Sequence, residues 1–125
     1  NLLLNVGPCA DGSIHPAQQA ALEGLGKWLQ HNGESIYGTR PWHRYKDTDP
    51  NGGDVRYTSR GQTLYAILLS PPQNDTLVLP PDVHGEVSLL KTGEVLRAER
   101  SGDRFVITLP PAEGAQPMPV LKIRP

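Results

Sequence analysis

The sequence predicts a mainly β protein with one β/α unit at its start, followed by an antiparallel β-sandwich. Two observations predict this class. A continuous apolar run near the start is followed by a segment with helical spacing, and several short apolar runs then recur at intervals of roughly ten residues. The 13 glycines and 13 prolines among 125 residues separate these runs. Such regular placement of turn-forming residues is typical of short strands rather than of disorder.

The first predicted element is a strand over residues 2–6. Leu2, Leu3, Leu4 and Val6 form an apolar run that Gly7 and Pro8 close. A strand without polar alternation is typical of parallel sheets whose two faces are both covered. One strand and one helix cannot enclose a core, so this unit is expected to need a barrel or a sheet around it.

The second predicted element is a helix from Pro16 to about Asn32. Proline is tolerated at the first helical position because its missing N–H would have no partner there. Gly33 is expected to end the helix as a left-handed C-cap. The predicted apolar face of the helix consists of Ala21, Leu25, Trp28 and Leu29. Trp28 is expected to be a core residue.

The rest of the chain predicts the sandwich. An irregular connector is expected over 34–42 and a surface loop over 47–54, before the alternating strands begin. We predict two domains, a terminal β/α unit over 1–45 and a β-sandwich over 46–125. The predicted strands are Val55–Thr58, Thr63–Leu69, Thr76–Leu79, Val87–Leu90, Val95–Ala98, Arg104–Leu109 and Pro119–Ile123.

Composition argues against several classes of partner and cofactor. The 12 basic and 13 acidic residues give a net charge of -1, whereas nucleic acids and anionic membranes favour basic patches. Cys9 is the only cysteine, and no histidine pair has metal-ligand spacing, so neither a metal nor another cofactor is expected. Asp47, Asp49 and Asn51 match the start of a calcium loop, but Thr58 stands where an EF-hand needs glutamate. A calcium loop of another kind stays open.

Several consecutive motifs carry a resemblance to a known family. Residues 1–8 read NLLLNVGP, Asp11-Gly12 forms a turn, WL-x-x-NGE closes the predicted helix, and residues 36–42 read IYGTRPW. Together these motifs resemble the end of the catalytic domain in α-L-fucosidases of glycoside hydrolase family 29. The later RGQTLYAI and ITLP segments, residues 60–67 and 107–110, are more loosely similar to the C-terminal β-domain of that family.

The resemblance implies that the chain is part of a retaining exo-glycosidase that removes terminal α-L-fucose from glycans. The first unit would then be a strand–helix remnant of a (β/α)8 barrel, and the catalytic carboxylates would lie upstream of it. No catalytic residue is therefore assigned within this chain. Expected partners are fucosylated glycans, through the parent enzyme, and either the remainder of the barrel or a second copy. The family resemblance implies an extracellular, periplasmic or lysosomal location.

Three residues are candidates for proximity to substrate. Asn5 and Gly7 would lie at the C-terminal end of a barrel strand, which is the active-site end of such barrels. Trp42 could present an aromatic face to a sugar, although packing at the junction of the two domains is the simpler role. An alternative function is a non-catalytic carbohydrate-binding module that uses Trp42, Tyr45, Tyr57 and Tyr65, and a further one is a purely structural sandwich.

Overall fold

A computed structural model describes residues 2–70, 72–111 and 118–125. The elements are a helix, α1, a short 3-10 helix over Gly33–Ser35, and eight strands. Their bounds are α1 Pro16–Asn32, β1 Arg40–Thr48, β2 Asp54–Arg60, β3 Thr63–Ser70, β4 Thr76–Leu79, β5 Glu86–Leu89, β6 Ala98–Ser101, β7 Arg104–Thr108 and β8 Val120–Arg124. The helix bounds agree with the predicted ones. The described helix is not long and apolar enough to cross a membrane.

The strands form two antiparallel sheets that pack face to face. The larger sheet has the order β1-β2-β3-β8-β5, and the smaller one has the order β4-β7-β6. Apolar side chains from both sheets meet between them, as in a β-sandwich. The buried core includes Val55, Tyr57, Ala66, Leu68, Leu77, Leu79, Val87, Phe105, Ile107, Leu121 and Ile123. The mainly β class and the sandwich are therefore confirmed.

Strand β3 explains why its sequence is apolar along both faces. Its inward side chains, such as Ala66 and Leu68, belong to the sandwich core. Its outward side chains Tyr65 and Ile67 are also buried and cluster with Val120 beneath the helix. Successive strand residues point to opposite faces, so a strand covered on both sides loses the polar alternation.

Helix α1 lies on the outer face of the larger sheet. Its Trp28 packs against the cluster of Tyr65, Ile67 and Val120, and the indole N–H donates to the Met118 carbonyl oxygen at 2.9 Å. Trp28 is half-buried, and Leu25 on the same predicted apolar face is 39% exposed. The helix is thus held mainly through one large side chain near its C-terminus.

The predicted strand over residues 2–6 is not formed. The described part of this segment has no strand pairing, and Leu2 and Leu3 are 82% and 92% exposed. Asn1, which opens the matching motif, lies outside the described residues. A parallel strand depends on neighbours along both of its edges, and none of the eight described strands pairs with this segment.

The predicted left-handed cap at Gly33 is also wrong. Gly33 has a φ of -59° and continues into the 3-10 helix, and its carbonyl accepts from the N–H groups of Ile36 and Tyr37. A Cβ at this position would lie 2.7 Å from the Tyr37 ring. The backbone angle at Gly33 is one that any residue adopts, and the ring of Tyr37, a residue that is 61% exposed, would have to move to make room for a Cβ there.

Strand pairing in the larger sheet begins earlier than the first predicted strand of the sandwich. Strand β1 occupies Arg40–Thr48, where a connector and the start of a loop were expected, and it pairs with β2 through an irregular register between Pro41 and Lys46. Its side chains are mostly exposed, so the sequence lacks the apolar alternation of a strand. The division into 1–45 and 46–125 stays a prediction, and β1 crosses that position.

One later strand is displaced. The predicted strand Val95–Ala98 is replaced by β6 at Ala98–Ser101, while Val95 forms only an isolated bridge to Ser88. Residues 94–96 instead fold back along β5, where the Leu89 N–H donates to the Glu94 carbonyl and the Leu96 N–H to the Val87 carbonyl. Val95 and Leu96, which belong to the predicted strand, therefore lie along the edge of β5 and cover it.

Candidate functional site

Asn5 and Gly7, two of the predicted site residues, make local contacts near the start of the chain. The Asn5 side-chain oxygen accepts from the Val6 N–H at 3.1 Å, and the Gly7 N–H donates to Gln18 Oε1 at 3.0 Å. Both hydrogen bonds are exposed. The second one fastens this segment to the first turns of α1.

Trp42, the third predicted site residue, lies in another part of the fold, on β1. Its ring centroid lies 4.0 Å from that of His43 and 5.3 Å from that of Tyr57. The indole packs against the sandwich core and stays half-buried. Tyr57 and Tyr65, which the binding-module alternative would need at the surface, are only 2% and 1% exposed.

A groove of about 570 Å³ opens beside Trp42 at one end of the sandwich. We call it the Trp42 groove, and it is lined by Trp42, Gly61, Gln62, Leu64, Asp82, Val83, His84, Ile123 and Pro125. The floor is apolar because Leu64, Val83 and Ile123 are buried core residues. The polar residues of the rim are exposed and come from the β2–β3 turn and the β4–β5 loop.

The Asp82 carboxylate on this rim has a defined orientation. Its Oδ2 atom lies 2.8 Å from His43 Nε2 and 3.8 Å from Arg44 Nε. Both contacts use the same oxygen, so Oδ1 keeps its capacity to accept hydrogen bonds from a ligand.

A second arrangement of charges, the Glu34 junction, lies between α1 and the larger sheet. Glu34 Oε1 accepts from Lys122 Nζ at 2.5 Å and from the Tyr65 hydroxyl at 2.8 Å, and Arg60 Nη2 lies 3.3 Å away. The hydrogen bonds from Lys122 and then Tyr65 hold the pKa of Glu34 below its usual value. Burial, followed by the bond to Glu34, raises the pKa of Tyr65.

Backbone contacts reinforce this junction. The Ser35 carbonyl, in the turn after α1, accepts from Thr58 Oγ1 at 2.6 Å and from Thr39 Oγ1 at 3.3 Å. Ser35 is fully buried. The segment after the helix is therefore tied to β2, β3 and β8 by side chains of all three strands.

Polar side chains of the acidic loop between β1 and β2 bond to the backbone of β4, so they hold the loop in place. Asp49 is buried, its Oδ1 accepts from the Val78 N–H at 3.2 Å, and burial raises its pKa. The Asn51 amide donates to the Thr76 carbonyl at 2.9 Å, and Asp54 pairs with Arg56. Among the residues that the structure describes, no group of three or more His, Cys, Asp or Glu could hold a metal ion.

Two described carboxylates with shifted pKa values, Asp49 and Glu34, can be compared with the pair that a retaining glycosidase needs. Such an enzyme requires an acid with a raised pKa facing a second carboxylate across a cleft. Asp49 has a raised pKa, yet it is only 3% exposed and lines neither described groove. Glu34 does line a groove of about 220 Å³ together with Glu86, but its pKa is lowered.

Comparison with known proteins accounts for both halves of the chain. Residues 1–34 match the family described as "Alpha-L-fucosidase", and residues 47–124 match "Alpha-L-fucosidase C-terminal domain". The chain belongs to the α-L-fucosidase family. The resemblance drawn from the sequence motifs is thereby confirmed, and the second match covers the strands from β2 to β8.

Relatives of this fucosidase chain are considerably longer. An "Alpha-L-fucosidase" of Branchiostoma floridae is 47% identical over 79 residues, which are 63% of this chain and 17% of the relative. A "Plasma alpha-L-fucosidase" of Pongo abelii is 40% identical over 119 residues, 88% of this chain and 25% of the relative. The chain thus spans a quarter or less of these two curated relatives.

The fold is similar to that of solved fucosidases. The structure of Thermotoga maritima alpha-fucosidase in complex with a mechanism-based inhibitor matches with a TM-score of 0.86 and 35% identity. The match covers 100% of this chain and 30% of the Thermotoga chain. The same enzyme in complex with fucose gives a TM-score of 0.85 over 98% of this chain.

Proposed function

We propose that this chain is the C-terminal portion of a longer α-L-fucosidase, a retaining exo-glycosidase that hydrolyses terminal α-L-fucose from glycans. In this proposal residues 1–45 complete the catalytic barrel and residues 46–125 supply the β-sandwich. The catalytic carboxylates belong to the upstream part of the enzyme. The observation that carries the proposal is the similarity of the entire chain to 30% of the Thermotoga fucosidase.

The exposed apolar residues of the first segment support this assignment. Leu2 and Leu3 are 82% and 92% exposed, and Leu4 is 53% exposed. Large contiguous apolar surface is unfavourable in water and commonly marks a contact face. In the longer enzyme these leucines form a barrel strand, and neighbouring strands cover them. Asn5 and Gly7 then stand at the end of that strand, near the substrate.

The chemistry assigned to the longer enzyme is a double displacement. A carboxylate attacks the anomeric carbon while a carboxylic acid protonates the leaving oxygen, and the same acid later activates water. This chain is assigned a positioning role, in which it supports the last unit of the barrel. The Glu34 junction joins the end of the barrel helix α1 to the sandwich, so the last barrel unit has a fixed support.

The experiment is hydrolysis of a chromogenic aryl α-L-fucoside by the longer protein that contains this chain, followed by NMR of the first-formed sugar. Release of α-L-fucose, with retained configuration, supports the proposal. First-formed β-L-fucose would contradict the retaining mechanism, and absence of turnover by a folded longer protein would contradict the activity. Aryl β-D-galactoside, which lacks the L-fucosyl group, serves as the control substrate.

A further inference from the structure

We propose that the Trp42 groove is a carbohydrate-binding site of the sandwich itself, with a neutral pyranose unit of a glycan as its ligand. The proposal concerns binding and requires no catalytic group in this chain. It rests on the shape of the groove, on its division into an apolar floor and a polar rim, and on the fixed position of the rim.

The groove has the size and lining of a small-ligand site. Its volume of about 570 Å³ lies within the range of roughly 300–1,000 Å³ that is common for such sites. Leu64 and Ile123 form an apolar floor, and polar side chains stand only around it. A pyranose presents the same division, because its ring C–H groups form an apolar face and its hydroxyls point outward.

Trp42 provides a wall that is already immobilised. Tyr57 packs against the indole from the core, with 5.3 Å between ring centroids, and His43 adds a second contact at 4.0 Å. The remaining part of the half-buried indole lines the groove. A rigid aromatic surface contributes contact area to sugar C–H groups with little loss of conformational entropy.

The polar rim offers hydrogen-bonding groups of the kinds that sugar hydroxyls need. Asp82 uses Oδ2 for His43 and Arg44, so its Oδ1 can accept from a hydroxyl. The Gln62 amide can both donate and accept. The Asp82 carboxylate lies beside the Arg44 guanidinium, so the rim has little excess charge of either sign and matches a neutral polyol.

The rim is held in place by the backbone beneath it. Val83, between Asp82 and His84, is 1% exposed and anchors the loop in the core. Gly85 follows with a φ of +121°, and a Cβ there would lie 2.0 Å from the Arg124 carbonyl oxygen. This tight packing fixes the loop against β8, so the polar groups need little rearrangement on binding.

The test is a titration of the ¹⁵N-labelled chain with methyl α-L-fucopyranoside and, separately, methyl β-D-galactopyranoside. The chain has two tryptophans, so one indole N–H signal reports on the Trp42 groove and the other on the contact between α1 and the larger sheet. We expect saturable shifts of the Trp42 indole and the Gln62 amide with at least one glycoside, while the Trp28 indole stays unchanged.

Variants make the test specific. Gln62→Ala removes one polar partner at an exposed turn. It should weaken binding about fivefold, which corresponds to the loss of one hydrogen bond worth roughly 1 kcal/mol. Gln30→Ala, at an exposed site on α1, should leave the affinity unchanged. Absence of a saturable shift with both glycosides would overturn the proposal, and so would equal affinity in Gln62→Ala and the wild type. Neither result would bear on fucoside hydrolysis by the longer protein.

Discussion

Lys122 on β8 and Glu34 after α1 are joined by a hydrogen bond of 2.5 Å between Nζ and Oε1, across 88 residues of sequence. The Lys122 side chain is only 16% exposed, so its ammonium depends on this carboxylate for compensation. Tyr65 and Arg60 approach the same oxygen. The bond therefore links the helical segment to the sandwich. Its two side chains are the most shielded pair among the described salt bridges.

Glu34→Gln is expected to destabilise the chain by about 1–2 kcal/mol, since it leaves the Lys122 charge without its partner in a shielded site. Urea unfolding followed by circular dichroism measures this loss. Glu99→Gln is the matched control because its bond to Arg97 is exposed on both sides, and it should cost less than about 0.5 kcal/mol. Equal losses in the two variants would contradict the assigned role of Glu34.

The cost of Glu34→Gln should also depend on pH. The folded pKa of Glu34 is lowered from 4.5, so its stabilising contribution is fully present above about pH 4.5 and is lost as pH falls through the folded value. We expect the difference in unfolding free energy between wild type and variant to shrink in acid. A difference that grows below about pH 4.5 would be inconsistent with a lowered pKa.

Asp49→Asn should show the opposite pH dependence. Burial raises the folded pKa of Asp49 above 3.8, so the ionised carboxylate destabilises the fold above that folded pKa, and protonation in acid removes the cost. The stability of the variant relative to wild type is therefore highest near neutral pH and decreases as the solution is acidified. Chemical unfolding at several pH values measures this, and a constant difference would argue against the raised pKa.

Trp28→Ala is expected to detach α1 while the sandwich stays folded. The indole supplies the contact with Tyr65 and Ile67 and the bond to the Met118 carbonyl. Its loss should therefore reduce the free energy with which α1 packs on the sheet by about 2–3 kcal/mol. Hydrogen exchange should accelerate in α1 and remain slow in β3. Leu25→Ala, at a side chain 39% exposed, should change exchange little. Unaltered protection of α1 in Trp28→Ala would show that other contacts hold the helix.

Gly85→Ala should be among the most damaging single-methyl changes in the chain. The new Cβ would lie 2.0 Å from the Arg124 carbonyl oxygen, at a φ of +121°, so β5 and β8 would have to separate locally. Gly93→Ala is the control, because its φ is +74° but no atom lies within 4 Å of the new Cβ. It should cost about 1–2 kcal/mol from backbone strain alone. Similar melting temperatures for the two variants would contradict the steric argument.

The sequence could predict elements whose pattern reflects contacts within the chain. The helix from Pro16 to Asn32 and the strand pair β2–β3 follow from helical spacing, from alternation and from a tight Gly61 turn. Strand β1 could not be found in this way, because its side chains face solvent and its backbone pairing with β2 defines it. The leucines at 2–4 have the pattern of a buried strand, but that pattern depends on neighbours beyond the eight described strands.

The candidate sites were only partly predictable. Trp42 was selected by residue type, whereas the groove beside it is completed by Asp82 and His84, about forty residues further along the chain. The Glu34 junction was missed because its partners Tyr65 and Lys122 come from separate strands. The NGE phrase after the helix did not reveal this junction, because the sequence does not show that the Glu34 side chain is partly shielded and lies beside Lys122.

The most direct test of the central claim is hydrolysis of 4-nitrophenyl α-L-fucoside by the purified 125-residue chain at verified intact mass, beside the longer protein that contains it. The account predicts turnover by the longer protein and none by the chain, because the catalytic carboxylates are assigned to the upstream part. Clear turnover by the chain alone would contradict this assignment. Asp11, Glu34, Asp47, Asp49 and Asp54 would then be the carboxylates to replace one at a time.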